Sequence, residues 1–281
     1  MSKPYIIEDR SVGDFPLKDK VVAVTGGGSG KKDAACCARQ SDNSTGICAA
    51  FCKRCIDGGA KGVVIGDLRV TDDAQELFKG INNIEFVKTD VTDWKQLENM
   101  VTVAKEKFGA TPDVYVGGAG IFEPPDFSSF WHDPEDDNRY RNVEINLNHP
   151  IKFTRIGMRH LINEDKPGVI LPIASVGGIA GTYHAPLYIA TKHGIIGFVK
   201  SMKLAEKYEG VKIVTICPGA CDSGLWTKEK RELVNFKDIE SLKPDDVAKA
   251  MIELVVEGKH VGGTCMEIMP NNGPKTRVLP E

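Results

Sequence analysis

Three residues in this chain have types and spacing suited to moving a proton: Ser175, Tyr188 and Lys192. The serine lies thirteen residues before the tyrosine and the lysine four after it. Residues four apart on a helix stack on one face, so the phenol and the amine point the same way if the segment is helical. A free phenol titrates near ~10, and making it a base near neutral pH takes roughly 3 to 4 kcal/mol. One ammonium about 4 Å away in an effective dielectric of about 20 supplies on the order of 4 kcal/mol. The lysine alone is therefore sufficient in scale to turn the tyrosine into a general base. A serine hydroxyl arriving from a separate strand can hold the oxygen of a substrate.

The elements that must deliver these residues are legible as alternating strands and helices. After Pro186, the run from Leu187 to Val199 carries apolar residues at mixed three and four spacing, which predicts a helix bearing Tyr188 and Lys192. Short apolar runs of buried-strand type are Val21–Thr25, Gly62–Asp67, Ile84–Thr89, Asp113–Gly117, Gly168–Ile173, Val211–Cys217 and Thr264–Met269. Helical patterns fall at residues 71–80, Trp94–Phe108, Tyr140–Asn163 and from Pro244 to Glu257. This alternation predicts a parallel sheet with helices on both faces, and in such sheets ligands bind beyond the carboxyl ends of the strands. The glycine turn Gly26–Gly30, Asp67, Asp90, Gly118, Ser175 and Pro218 all fall on that edge. Glycines after a first strand let the backbone approach a phosphate, whose charge the next helix N-terminus can hold. An acid ending the second strand accepts hydrogen bonds from an adenosine ribose and repels a 2′-phosphate, which favours NAD over NADP. Arg69 nearby weakens that preference. Residues 220–242, polar with scattered apolar positions, suit a lid over the site.

Composition narrows the partners. The chain of 281 residues has a formal net charge of −3, so nothing points to nucleic acid or an anionic membrane. No run approaches the length needed to span a bilayer, and the first residues lack a signal-peptide core, so a cytoplasmic protein is expected. Five of the eight cysteines (Cys36, Cys37, Cys48, Cys52 and Cys55) crowd together, and Cys52-Lys-Arg-Cys55 has the C-x-x-C form of a zinc or redox pair. Cys48, Cys52 and Cys55 also fall at i, i+4 and i+7 among Ala49, Ala50, Phe51 and Ile56, which reads as a helix face packed on the sheet. Packing is the preferred reading, with no metal.

With these residues in hand, the chain resembles the short-chain dehydrogenase/reductase family from about residue 18 to 269. The resemblance rests on Thr25-Gly26 with Gly30, Asp67, Asp90-Val91, Gly118-Ala-Gly120, Asn146, Ser175, Tyr188, Lys192 and Pro218-Gly219. Within the family, Leu187-Tyr-Ile-Ala-Thr-Lys-His-Gly looks most similar to 15-hydroxyprostaglandin dehydrogenase-like members. The resemblance implies a single Rossmann-type doubly wound parallel domain of about seven strands. It implies NAD as cofactor and a secondary alcohol or its ketone as substrate. The implied catalytic set is Asn146, Ser175, Tyr188 and Lys192. Asn146 would support a water relay behind the lysine, with Asn148 the rival position. The implied cofactor cradle is Gly26, Ser29, Gly30, Ile47, Asp67, Asp90, Val91, Gly118, Tyr188, Lys192 and Pro218. A homodimer or homotetramer through residues 140–163 and 188–208 is implied as well.

Two departures stand against this pattern. Where the family usually has an asparagine before Ala-Gly, this chain has Gly118, and Cys48 stands where a third glycine is common. Sixteen extra residues also separate Ser29 from Ile47. Codons for Gly30-Lys31-Lys32 can hold GTAAG and those for Ser44-Thr45-Gly46 can end in CAG, and removing residues 31–46 restores Gly-Ser-Gly-Ile-Cys-Ala in frame. An intron read through in the coding sequence is the expectation, with a genuine loop as the alternative. If the insert disrupts the cofactor turn, the chain is instead a catalytically impaired member serving as a binding or scaffold protein.

Overall fold

The structure, a computed structural model, describes residues 9–28, 46–123, 129–131, 139–226, 231–232 and 236–280. Six strands form the main sheet: β1 (Val21–Thr25), β2 (Gly62–Asp67), β3 (Ile84–Lys88), β4 (Val114–Gly117), β5 (Gly168–Pro172) and β6 (Val211–Ile213). Their order is β3-β2-β1-β4-β5-β6, every pair parallel, with Val24 flanked by Ile65 on β2 and Val116 on β4. The order reverses between β1 and β4, which opens a crevice at their carboxyl ends.

Successive residues of β1 face opposite sides of the sheet, and the core divides accordingly. Val22 and Val24 pack with α1 (Ile47–Asp57) and with the C-terminal helix Pro244–Val256, through Phe51, Val247, Met251 and Leu254. Val21 and Ala23 pack with α3 (Trp94–Phe108), α5 (His149–Asn163) and α6 (Pro186–Ser201), through Leu97, Met100, Phe153, Ile156 and Ile195. Cys48, Cys52 and Cys55 are free thiols within the first of these cores. The short helices α2 (Asp72–Leu77), α4 (Arg141–Val143) and α7 (Ala205–Glu209) also precede the C-terminal helix, here named α8. Thr71 caps α2 through Ala74 N–H, and Gly109 ends α3 in the left-handed conformation at φ 69°.

Three expectations change in detail. The sixth strand is broken at Val214, whose N–H returns to Ile170. Beyond the break, β7 (Thr215–Pro218) pairs parallel with β8 (Cys265–Met269), and β8 pairs antiparallel with β9 (Lys275–Val278). A bridge between Ile173 and Ile216 carries the sheet across the break. Strand β9 was invisible to a search for apolar runs because all four of its residues are exposed. Its turn was nevertheless signalled by Asn271-Asn272-Gly273, all at positive φ. The long helix expected over Tyr140–Asn163 is interrupted by a π turn, Glu144–Asn148, between α4 and α5. The widened step is the His149 N–H, which goes to the Glu144 carbonyl, and the next residue, Pro150, has no N–H for the carbonyl four residues back, at Asn146.

Candidate active site

Tyr188 enters α6 two residues after Pro186, the first residue of that helix. The helix has no side-chain cap of its own residue Ala185. Instead, the fully buried Glu123 reaches across from the loop after β4, and its Oε2 accepts Tyr188 N–H at 2.9 Å. Its Oε1 accepts Phe130 N–H at 2.8 Å, so one carboxylate ties that loop to the helix. Lys192 lies one turn further along, 7% exposed, with its ammonium 5.6 Å from the Tyr188 ring centroid. Lys192 Nζ donates to the Ile173 carbonyl at 2.8 Å, which fixes it at the end of β5.

Ser175 leaves the same strand end and caps a 3-10 turn, its Oγ accepting Gly177 N–H at 3.1 Å and donating to Pro218 O at 3.3 Å. The same hydroxyl lies near enough to the Tyr188 phenol to favour its charged form, and a Cβ on Gly177 would meet both groups, at 3.6 Å from Ser175 Oγ and 3.2 Å from Tyr188 Cε1. The three residues of the sequence argument therefore converge, with Pro218 serving as an acceptor for the serine.

Their electrostatics differ from the expectation. The lysine was expected to lower the tyrosine. In the structure burial pushes the Tyr188 phenol up, and the nearby Ser175 hydroxyl pulls against it. Burial drives Lys192 the other way, down to about 8. A dry site penalises each charged form. With the ammonium 5.6 Å from the ring centroid, burial outweighs its pull on the phenol.

Asn146 sits in the π turn with its side chain committed. Its Nδ2 donates to Ile121 O at 2.8 Å and Asn142 Oδ1 at 2.7 Å, while its Oδ1 accepts Ile121 N–H at 2.9 Å. The amide anchors the loop after β4. Asn148 gives its amide to Glu144 on its own helix. Asn142, buried beside them, keeps an Nδ2 with no protein partner.

The residues expected to cradle a cofactor follow the carboxyl ends of β1, β2, β3 and β4. Gly26 holds φ 85°, and a Cβ there would lie 2.7 Å from Ala119 N. Asp67 is 9% exposed, with Oδ2 accepting Gly28 N–H at 3.1 Å and Oδ1 accepting Leu68 N–H at 2.7 Å. Asp90 Oδ1 accepts both the N–H and the hydroxyl of Thr92, closing its own turn, and Val91 is buried behind it. Ile47 opens α1, whose N-terminus has no side-chain cap and no acidic residue in its first turn. Its amides and the glycine edge fit a dinucleotide pyrophosphate, and the buried Asp67 fits a ribose diol. Ser29 and Gly30 fall outside the described residues, as does the insert up to residue 45.

The unusual Gly118 has a local cause. A Cβ at 118 would stand 2.2 Å from Cys48 Sγ, so the thiol occupies the room a side chain there would need. The departures at 48 and 118 are one exchange of volume. The tie between β1 and β4 passes to Thr25, whose Oγ1 accepts Gly118 N–H at 3.0 Å.

An aromatic stack leads outward from the tyrosine. Phe122 meets the Tyr188 ring edge-on at 5.0 Å, Trp226 lies 4.9 Å from Phe122, and Phe236 lies 5.0 Å from Trp226. Sequence reasoning missed Glu123 and Phe122, for which the only local signal is an acid between a phenylalanine and Pro124-Pro125. Elsewhere, Glu253, Glu257 and His260 bring their ligand atoms within 4.8 Å of one another. The Lys259 ammonium sits 3.1 Å from Glu253 and 2.6 Å from Glu257 and already pairs with both carboxylates.

The profile of the short chain dehydrogenase family matches residues 43–233. The chain belongs to that family. The match spans the strand ends that carry Asp67, Gly118, Ser175, Tyr188 and Lys192. Among similar proteins, 15-hydroxyprostaglandin dehydrogenase [NAD(+)] of Mus musculus is 28% identical over 205 residues, 67% of this chain and 71% of its own. The Rattus norvegicus protein of the same name is 27% identical over 207 residues, 67% of this chain and 72% of its own. An uncharacterized oxidoreductase of Staphylococcus aureus (strain USA300) is 25% identical over 256 residues, 90% of this chain and 98% of its own. An oxidoreductase of this family is thus the coarse assignment, and no described helix is long and apolar enough to cross a membrane.

Proposed function

We propose that the protein is an NAD-dependent oxidoreductase that interconverts a secondary alcohol and a ketone, with Tyr188 as acid and base. The observation that carries this reading is the convergence of Ser175, just beyond the end of β5, with Tyr188 and the buried Lys192, whose ammonium lies 5.6 Å from the phenol ring centroid. Ser175 holds the substrate oxygen. Tyr188 takes the hydroxyl proton in oxidation and returns one to the carbonyl oxygen in reduction. Lys192 supplies positive charge beside the phenol, and its hydrogen bond to Ile173 keeps it within reach. Asn146 acts by holding the loop at Ile121, and the unpaired Asn142 Nδ2 beside it suits a relay water. When bound, the nicotinamide supplies the hydride acceptor or donor. Asp67 would hold its adenosine ribose and select NAD, and Gly26, Ser29, Gly30, Ile47, Asp90, Val91, Gly118 and Pro218 would line the rest of its site, with Tyr188 and Lys192 at the nicotinamide end. The names of the rodent relatives, which state NAD(+), support that choice.

On this reading residues 1–281 form one cofactor-binding domain, residues 220–242 cover the substrate, and the protein is a cytoplasmic homodimer or homotetramer. The six described cysteines, all free, agree with a reducing compartment. Titration of NADH followed by tryptophan fluorescence, with NAD⁺ reduction screened on a panel of secondary alcohols, tests the proposal. Saturable quenching and turnover of at least one alcohol are expected. Neither binding nor turnover by the folded chain would leave the scaffold alternative in its place.

A further inference from the structure

The loop from Gly118 to Ile121 is pinned at both ends, and the two pins meet in a histidine. At its start, Thr25 Oγ1 accepts the N–H of Gly118 at 3.0 Å and of Ala119 at 3.3 Å. At its end, the Asn146 amide holds both the N–H and the carbonyl of Ile121. His149 is fully buried between them, with Nε2 3.0 Å from Thr25 Oγ1 and Nδ1 3.0 Å from the carbonyl of Ile145, the neighbour of Asn146.

The proton positions in this ring of contacts follow from donor counting. A carbonyl only accepts, so Nδ1 carries the imidazole proton and gives it to Ile145. Nε2 is then an acceptor and takes the Thr25 hydroxyl proton, in preference to the Val116 carbonyl at 3.3 Å. Burial lowers the imidazole pKa from 6.5 to about 4, and Lys192 presses in the same direction, so this neutral form persists at neutral pH.

The bond to Ile145 also has a structural origin. In an α-helix the Ile145 carbonyl would receive the backbone N–H of His149. Here that N–H goes to Glu144, the π step. The side chain of His149 restores the bond its own backbone has given up.

We propose that His149 is a positioning residue that locks the cofactor edge of the sheet, through Thr25, to the π turn carrying Asn146, through Ile145. This rests on the reading given under Proposed function only for what the locked loop serves. Two substitutions separate the two ends. The amide of His149→Gln reaches the place of Nε2 and can still accept from Thr25, whereas that of His149→Asn reaches the place of Nδ1 and can still donate to Ile145. NADH affinity, kcat for alcohol oxidation and thermal unfolding are measured for both variants. The loss of one buried hydrogen bond is worth about tenfold in the property it supports. His149→Gln should keep NADH affinity near that of the parent chain and lose about tenfold in kcat, and His149→Asn should bind NADH about tenfold more weakly. Parallel losses in both variants, in proportion to their fall in stability, would overturn the proposal. A second readout uses the unsubstituted chain without cofactor: ¹⁵N NMR of its histidines should show His149 as the Nδ1–H tautomer with no titration from about pH 5 to pH 9. An Nε2–H tautomer, or titration near the ordinary value, would overturn it as well. If the unsubstituted chain binds no NADH, the proposed function fails, while the tautomer still decides the ring of hydrogen bonds.

Discussion

At Tyr188 and Lys192 two opposed effects meet. Opposite charges so placed attract each other in principle, but enclosure penalises both, leaving the phenol above its usual range and the amine at about 8. The sign of the pH dependence follows. Alcohol oxidation needs the phenol deprotonated, so kcat/KM for oxidation should rise through neutral into alkaline pH. Carbonyl reduction needs the phenol protonated and is helped by the lysine cation, so it should be level below about 8 and fall above it. A pH–rate profile in both directions checks this, and an oxidation rate that peaks below neutrality would contradict it. The pair was legible in the sequence because four-residue spacing on one helix is a local property. Its pKa direction was not, since burial depends on the loops and strands that enclose it. Glu123 was illegible for a related reason: a carboxylate whose partners are the N–H groups of Phe130 and Tyr188 leaves no mark in the residues around it. Replacing Glu123 with alanine should cost about 1–3 kcal/mol by leaving two part-buried N–H groups without their acceptor, with kcat falling more than NADH affinity. Equal losses in kcat and NADH affinity would mean that Glu123 serves only stability.

Between elements, the packing of α1 against the end of β4 decides how close the backbone of the cofactor edge can come. The Cys48 thiol fills the space over Gly118, so Gly118→Ala should destabilise by about 1–3 kcal/mol through overpacking. Adding Cys48→Ala should recover most of that loss, with a favourable coupling of about 1–2 kcal/mol in the double-mutant cycle by chemical denaturation. Additive effects would show that the two positions are independent. From sequence alone the two departures looked like separate defects in a cofactor cradle, because only the fold puts residues 48 and 118 in contact. The π turn was partly legible, since Pro150 forbids an unbroken ladder. That His149 would repair the broken bond required the buried geometry.

Across the whole molecule, the parallel sheet with helices on both faces was readable because buried parallel strands are continuous apolar runs, and the core on either side of β1 agrees with it; the strand order came only from the fold. The edge strand β9 escaped because exposed polar strands carry no such pattern. The insert is the remaining question at this scale. The closure entropy of a loop grows only slowly with length, so deleting residues 31–46 should stabilise the chain by on the order of 1–2 kcal/mol. The shortened chain should bind NADH at least as tightly as the parent in a fluorescence titration. A deletion that unfolds the protein or abolishes NADH binding would mark these residues as a working part of the enzyme, and a mature transcript that keeps their codons would reject the intron.

The central claim rests on one hydroxyl. Tyr188→Phe removes it and retains the ring that packs on Phe122. In a folded preparation with NADH affinity intact, alcohol oxidation should fall by about 10²–10⁴-fold. Turnover within a few-fold of the parent enzyme would contradict the account.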